Sequence, residues 1–237
     1  MMRFFLVTGS KDTRIKIWNR RDYLVERDDG KIIILPAYRE LRCLRGHVAA
    51  VNVVRIFQHT LASGGGDRVI HLWDLRTGQM LRSLRGHVTG VVCLQYTGNL
   101  IISGSSDKTA RIFDLERPDE EVQIACLEGH EGIVRALQVQ KSEMEAKVLL
   151  QIVTGSYDGT VKIWHPDDGD SSCWRPHLTL SVQEDTTGDE NRVFNVQCDE
   201  RRLVCCSQNS IVLWDFGLDE QDISSGEVDS VRRGGEV

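Results

Sequence analysis

Three times along the chain a histidine is followed by a hydroxyl residue and then an aspartate: His47, Ser63 and Asp67; His87, Ser103 and Asp107; His130, Thr154 and Asp158. An imidazole held between a carboxylate and a hydroxyl is the arrangement that activates a serine nucleophile. Repetition argues against that use here. A catalytic triad is assembled once, around one positioned nucleophile with its own oxyanion donors, whereas these sets recur with threonine replacing serine. The trio reads as architecture, and no catalytic residue is expected. Ser63-Gly64-Gly65-Gly66-Asp67 is glycine-rich, but no helix pattern follows and the lysine of a phosphate loop is missing, so a tight turn is expected. His165-Pro166-Asp167-Asp168 reads as a loop after a strand and not as a metal site. The seven cysteines (Cys43, Cys93, Cys126, Cys173, Cys198, Cys205 and Cys206) form no CxxC pair and none of the spacings of a zinc site. They read as reduced core thiols, and adjacent Cys205 and Cys206 would point to opposite faces of a strand without bridging. No cofactor and no metal are expected.

The elements that must position these residues follow from an internal repeat. Gly46-His47, Gly86-His87 and Gly129-His130 lie 40 and 43 residues apart. After each comes an apolar run, then Ser/Thr-Gly, then an aspartate with an aromatic six residues on: Asp67/Trp73, Asp107/Phe113 and Asp158/Trp164, with Asp12/Trp18 before them. A degenerate fifth copy runs through Leu203–Cys206 to Asn209 and Trp214. Val69–Trp73 and Thr160–Trp164 alternate with period two and are rich in β-branched and aromatic residues, as short strands are. Gly-Gly-Asp, Ser-Asp-Lys and Tyr-Asp-Gly between them are hairpin turns. No long window carries a 3.6-residue period, so helices should be nearly absent. A unit of about 40 residues with four strands cannot bury both faces alone, so neighbours must stack.

Gly-His, Ser/Thr-Gly-x-x-Asp and Trp-Asp, repeated in register over roughly residues 4–216, resemble the WD40-repeat β-propeller family. The resemblance implies an all-β WD40 β-propeller of about four and a half four-stranded blades. They would span 4–44, 46–84, 86–127, 129–182 and 192–216 of a region 1–216. It implies further that His, Ser/Thr, Asp and Trp form a hydrogen-bonded chain in each complete blade: His47, Ser63, Asp67 and Trp73, then His130, Thr154, Asp158 and Trp164. In the blade of His87, Ser103 and Asp107 the chain must end at Ser103, because Phe113 lacks an indole N–H, and that blade should be the loosest. Strands counted in family order open on a b strand at Phe4–Thr8, then Arg14–Trp18 and Glu40–Leu44, and close on an a–b–c set over Val193–Trp214. Rings of this family have about seven blades. The expectation is therefore the C-terminal part of a larger ring, whose uncovered sheet faces would self-associate. Three stretches interrupt the repeat: 20–38, with Asp28-Asp29-Gly30 as a turn; 141–147, lengthening a hairpin; and 167–192, two acidic loops flanking a strand at Leu178–Val182.

The net charge of −6 is concentrated in residues 217–237, where six acids face Arg232 and Arg233; that tail of −4 leaves a body of −2. A near-neutral body is not the basic footprint of a nucleic-acid binder, and the acidic, Gly/Ser-rich tail is expected to be disordered. The apolar start at Phe4-Phe5-Leu6-Val7 is too short for a signal peptide, and no run approaches a membrane span. A soluble protein of the cytoplasm or nucleus is expected, binding neither nucleic acid nor membrane.

In this family the d–a and b–c loops gather at one end of the ring as its recognition face, so two positions per blade are candidates for holding a protein or peptide ligand. One precedes the b–c aspartate (Lys11, Gly66, Ser106, Tyr157, Gln208); the other is the second residue of strand a (Asn52, Val92, Arg135, Phe194). Lys11, Asn52, Arg135, Tyr157, Phe194 and Gln208 are the partner-binding candidates, with Tyr157, Arg135 and Phe194 of hot-spot type. Arg192–Gln197, Trp214-Asp215-Phe216 and Arg45–Val51 resemble F-box/WD40 proteins, substrate receptors of cullin-RING ubiquitin ligases. Some of these hold phosphorylated degrons with top-face arginines. By position only Arg135 matches such an arginine, which argues against a phosphate pocket there. Cullin-RING components would be engaged through an F-box upstream. The reading is a non-catalytic protein-interaction scaffold, the substrate-binding WD40 portion of an F-box/WD40-type receptor of an SCF ubiquitin ligase, with a generic WD40 scaffold of RNA processing, chromatin or trafficking as the alternative.

Overall fold

The computed structural model describes residues 5–144, 147–167, 170–182 and 191–216, and among them no α-helix forms. The tail at 217–237, expected to be disordered, lies outside the described residues, as do Asp168 and the side chain of Cys173. The chain divides into two compact units, Met1–Gly98 and Asn99–Val237.

The first unit begins with β1 (Phe5–Gly9) and β2 (Ile15–Asn19), interrupted by the hairpin β3 (Tyr23–Glu26) and β4 (Ile32–Leu35), before β5 (Glu40–Leu44) completes a three-stranded sheet in the order β1-β2-β5. A four-stranded antiparallel sheet follows: β6 (Val51–Phe57), β7 (Thr60–Gly65), β8 (Ile70–Asp74) and β9 (Met80–Leu84). β10 (Val91–Tyr96) lies against β6 and β7. The core between sheets is continuous: Ile15, Ile17 and Leu44 of the first sheet pack with Val51, Leu61, Trp73 and Leu75 of the second. Each sheet thus buries its inner face only against a neighbour.

The second unit opens with β11 (Leu100–Ser105), β12 (Ala110–Asp114) and β13 (Gln123–Leu127), paired antiparallel. Then come β14 (Val134–Met144), β15 (Lys147–Ser156), β16 (Thr160–Asp167) and β17 (Asp170–Ser181) as a second four-stranded sheet. β18 (Asn195–Cys198), β19 (Arg202–Cys206) and β20 (Ile211–Asp215) form a last sheet of three. Its Val196, Leu203, Cys205 and Trp214 share a buried cluster with Val153, Val161 and Ile163 of the sheet before.

Three local expectations are corrected. Residues 20–38 are not a plain connection: Tyr23–Glu26 pairs with Ile32–Leu35 around the Asp28-Asp29-Gly30 turn, where Gly30 takes φ 76°. This hairpin leaves Leu24, Ile32 and Ile34 exposed. His165-Pro166-Asp167 is no loop; β16 runs on through it, pairing with Arg175, Trp174 and Asp170. The strand expected at Leu178–Val182 accordingly begins at Asp170, so one of the two acidic loops is sheet.

Two features recur from sheet to sheet. In three of the Ser/Thr-Gly pairs the glycine sits where a Cβ would meet a valine of the neighbouring sheet: Gly9 against Val51 at 2.6 Å, Gly64 against Val91 at 2.6 Å, Gly155 against Val193 at 2.5 Å. The motif glycine is a close-approach residue. Opposite each hydroxyl residue, the c strand carries a side chain that reaches across to strand d. The four clasps are Lys16 to Glu40 at 2.8 Å, His71 to Ser83 at 2.9 Å, Arg111 to Gln123 at 2.8 Å and Lys162 to Thr179 at 3.1 Å.

Candidate protein-docking site

The polar trios assemble as chains that tie turns to strands. In the first unit His47 Nδ1 lies 2.8 Å from the Asp67 carboxylate and Nε2 lies 2.8 Å from Ser63 Oγ, to which Trp73 Nε1–H donates at 2.9 Å. The indole can only donate, so Ser63 Oγ accepts from it; with the ring neutral and protonated on Nδ1 toward Asp67, the Ser63 hydroxyl donates to Nε2. The second unit repeats it. His130 Nδ1 to Asp158 is 2.9 Å, Nε2 to Thr154 Oγ1 is 2.7 Å, and Trp164 Nε1–H donates to Thr154 at 2.8 Å. Ser63 and Thr154 are both 0% exposed, so no substrate carbonyl reaches either hydroxyl.

Burial alone would raise the carboxyl pKa values of these aspartates, yet both end below the ordinary range. For Asp67 the backbone N–H of Val48 and the His47 ring outweigh burial; for Asp158 the His130 ring and Thr160 do so. His71, packed 4.5 Å from the His47 ring, is pushed down to about 4, first by burial and then by its neighbour His47. His47, Asp67 and His71 bring ligand atoms within 4.8 Å of one another. Both nitrogens of His47 are already bonded to Asp67 and Ser63, and His71 Nδ1 to Ser83, so the cluster is closed by its own hydrogen bonds.

The remaining copies depart from this pattern. Trp18 Nε1–H donates to Thr8 Oγ1 at 3.0 Å with no histidine in the chain. Phe113, 1% exposed, fills the aromatic position of the copy containing Ser103 and Asp107 but offers no donor, and Asp107 there accepts from Thr109 N–H and Oγ1–H. His87 is buried. In the last sheet Leu203 pairs with Trp214 and Cys205 with Val212, as Ile152 pairs with Trp164 and Thr154 with Lys162. Cys205 therefore occupies the hydroxyl position, fully buried, its thiol pushed up to about 12 by burial. That substitution escaped the sequence reading because the following turn is one residue shorter.

The docking candidates divide between the units. In the first, Lys11 is exposed on the β1–β2 turn, and Asn52 is also exposed but engaged, donating from Nδ2 to Val91 O at 2.8 Å. In the second, Gln208 is exposed on the β19–β20 turn and Arg135 is exposed on β14. Asn52 and Arg135 sit at shifts of the ladder register, between Val51 and Val53 and between Val134 and Ala136. A bulge leaves one residue unpaired and re-aims its side chain. Tyr157 and Phe194 are brought together, with rings 5.3 Å apart, edge to face, and Phe194 40% exposed. Arg192, which is not one of the docking positions the sequence pattern marks, places its guanidinium 5.3 Å from the Tyr157 ring centre. Its signal was positional: it precedes buried Val193 as Ile133 precedes buried Val134. The Tyr157 hydroxyl has no partner among the described residues, so an aromatic pair, a cation and a free donor stand together.

A family model, WD domain, G-beta repeat, matches residues 3–19, 38–74, 78–114 and 121–165, more than half of the chain. This chain belongs to the WD-repeat family. The fold is the all-β WD40 β-propeller type. Among solved structures it is similar to the crystal structure of the computationally designed Ika4 protein. That match has 27% identity, covers 73% of this chain and 96% of the designed one, and has a TM-score of 0.55. A search among curated proteins returned no match. WD-repeat domains are in general non-catalytic scaffolds that bind protein partners. The family match ends at residue 165, short of the sheet in which Cys205 displaces the hydroxyl.

Proposed function

We propose that this WD-repeat chain is a non-catalytic interaction scaffold that docks a protein partner on the Tyr157–Phe194–Arg192 cluster, flanked by Arg135 on β14. The observation that carries the reading is that cluster: aromatic rings and arginine are the residue types that dominate binding energy at interfaces, here on loop ends of a rigid sheet framework. A hydrolase role finds no support, since the repeated hydroxyls are buried and fully hydrogen-bonded.

More specifically, the scaffold is the substrate-binding WD40 portion of an F-box/WD40-type receptor of an SCF ubiquitin ligase, working in the cytoplasm or nucleus. The resemblance of Arg192–Gln197 and of Trp214-Asp215-Phe216 to the last blade of such receptors supports this. Affinity purification of the protein from cells tests both levels. A cullin adaptor should co-purify with wild type and with the Tyr157→Ala, Phe194→Ala double variant, while a bound client is lost from the variant alone. The client's affinity should fall at least about tenfold, as for loss of an aromatic anchor. Absence of any cullin adaptor would assign the scaffold to another assembly, in RNA processing, chromatin or trafficking. Retention of every client by the double variant would remove the cluster as the docking site.

A further inference from the structure

We propose that the first unit carries a separate anion site, in which Arg68 and Arg85 hold a doubly charged tetrahedral oxyanion such as a phosphate monoester. An open cleft of about 210 Å³ is lined by Asp67, Arg68, Val69, Arg85 and His87. Arg68 stands on the β7–β8 turn and Arg85 directly follows β9, whose last residue, Leu84, pairs with Ile70 at the start of β8. The turn and the strand end therefore bring two arginines to the lining of one open cleft.

The other sheets show that this pairing is not imposed by the fold. The same two positions, fixed by the strand registers, hold Thr13 and Arg45 in the first sheet, Lys108 and Glu128 in the third, and Gly159 and Ser181 in the fourth. Among these four described sheets, β6–β9 alone places two cations there. The turn position is left-handed in all four of these sheets, at φ 71° for Thr13, 71° for Arg68, 70° for Lys108 and 79° for Gly159, so its conformation accepts several residue types and does not itself call for arginine.

Neither guanidinium is neutralised by the protein. Arg85 has no hydrogen bond or ion pair among the described residues, and Arg68 makes one long contact, Nη1 to Val88 O at 3.4 Å. The carboxylate in the cleft does not complete the pair. Asp67 already accepts from His47 Nδ1, from Val48 N–H at 2.9 Å and from Val69 N–H at 3.4 Å, which offsets its charge locally. Two unpartnered forks lining one cleft suit a dianion with several acceptor oxygens, because each guanidinium can pair bidentately with two of them.

The test uses the full chain with inorganic phosphate, and separately with an acetylated phosphoserine pentapeptide flanked by alanines and its unphosphorylated form. Phosphate should raise the melting temperature where chloride at equal ionic strength does not, with a Kd of about a millimolar. Arg68→Gly and Arg85→Gln should each weaken binding at least about tenfold, as loss of a charge-assisted fork does. Arg68→Gly should melt no lower than wild type, and Arg45→Gln should bind as wild type. A phosphopeptide bound better than its unphosphorylated form makes the source a modified protein; phosphate bound with the peptide excluded makes it a free anion. Wild-type binding by both variants, or a phosphate effect no larger than that of chloride, overturns the proposal. Tyr157→Ala leaves phosphate binding unchanged, so failure here is separable from failure of the aromatic cluster.

Discussion

At the scale of single residues, the buried hydroxyls are the junctions of the structure. Ser63 joins an indole to an imidazole, and Trp73→Phe would remove the donor while keeping most of the packing; Phe113 shows that phenylalanine can be fully buried at this position. Loss of one buried hydrogen bond plus a small void should destabilise the chain by about 1–2 kcal/mol, measured by chemical denaturation. His71 makes a prediction with a defined sign. Its pKa is about 4 in the fold against 6.5 for an ordinary histidine. Above pH 6.5 the ring is neutral in both states and contributes nothing. As pH falls from 6.5 to 4 the unfolded chain binds a proton that the folded chain refuses, so stability declines across that window. Between pH 7 and 5 this residue should remove about 2 kcal/mol, and His71→Gln should flatten that part of the pH profile. An unchanged slope in the variant would mean that His71 titrates normally in the fold.

At the scale of elements, the repeat was legible because each mark has a separate physical cause. Gly-His begins a tether, Ser/Thr-Gly combines a buried acceptor with a close approach, and the aspartate caps a turn. The close approach is testable. Gly64→Val would drive side-chain atoms into Val91, whose Cγ1 lies 2.6 Å from a Cβ built at Gly64, and should cost about 1–3 kcal/mol by overpacking. Val91→Ala in the same chain should recover part of that loss, a coupling that a double-mutant cycle on unfolding free energies would read. What escaped the sequence lay off the template. Tyr23–Glu26 and Ile32–Leu35 have the β-branched, apolar character of strands, but they fall within a connection and were read as one. Cys205 was hidden by a turn of different length, which only the hydrogen-bond register exposes. The clustering of Tyr157, Phe194 and Arg192 joins the β15–β16 turn of one sheet to the segment that leads into the next, and spacing alone does not report such a contact.

At the scale of the molecule, the repeated histidines and aspartates are interior fasteners, whereas the residues of the two proposed sites are ones the repeat does not dictate: Tyr157, Phe194 and Arg192, and in the other unit Arg68 and Arg85. A chain of similar sheets faces a hazard that a non-repetitive one does not. Any c strand could pair with the wrong d strand during folding, since the backbones are nearly interchangeable. The four clasps differ in kind: ammonium to carboxylate, imidazole to hydroxyl, guanidinium to amide, ammonium to hydroxyl. A swapped partner would trade the Lys16–Glu40 ion pair for an ammonium against a hydroxyl or an amide, or set Glu40 against the His71 imidazole. Part of a sheet's identity is thus written in the one cross-strand pair that the family pattern leaves free.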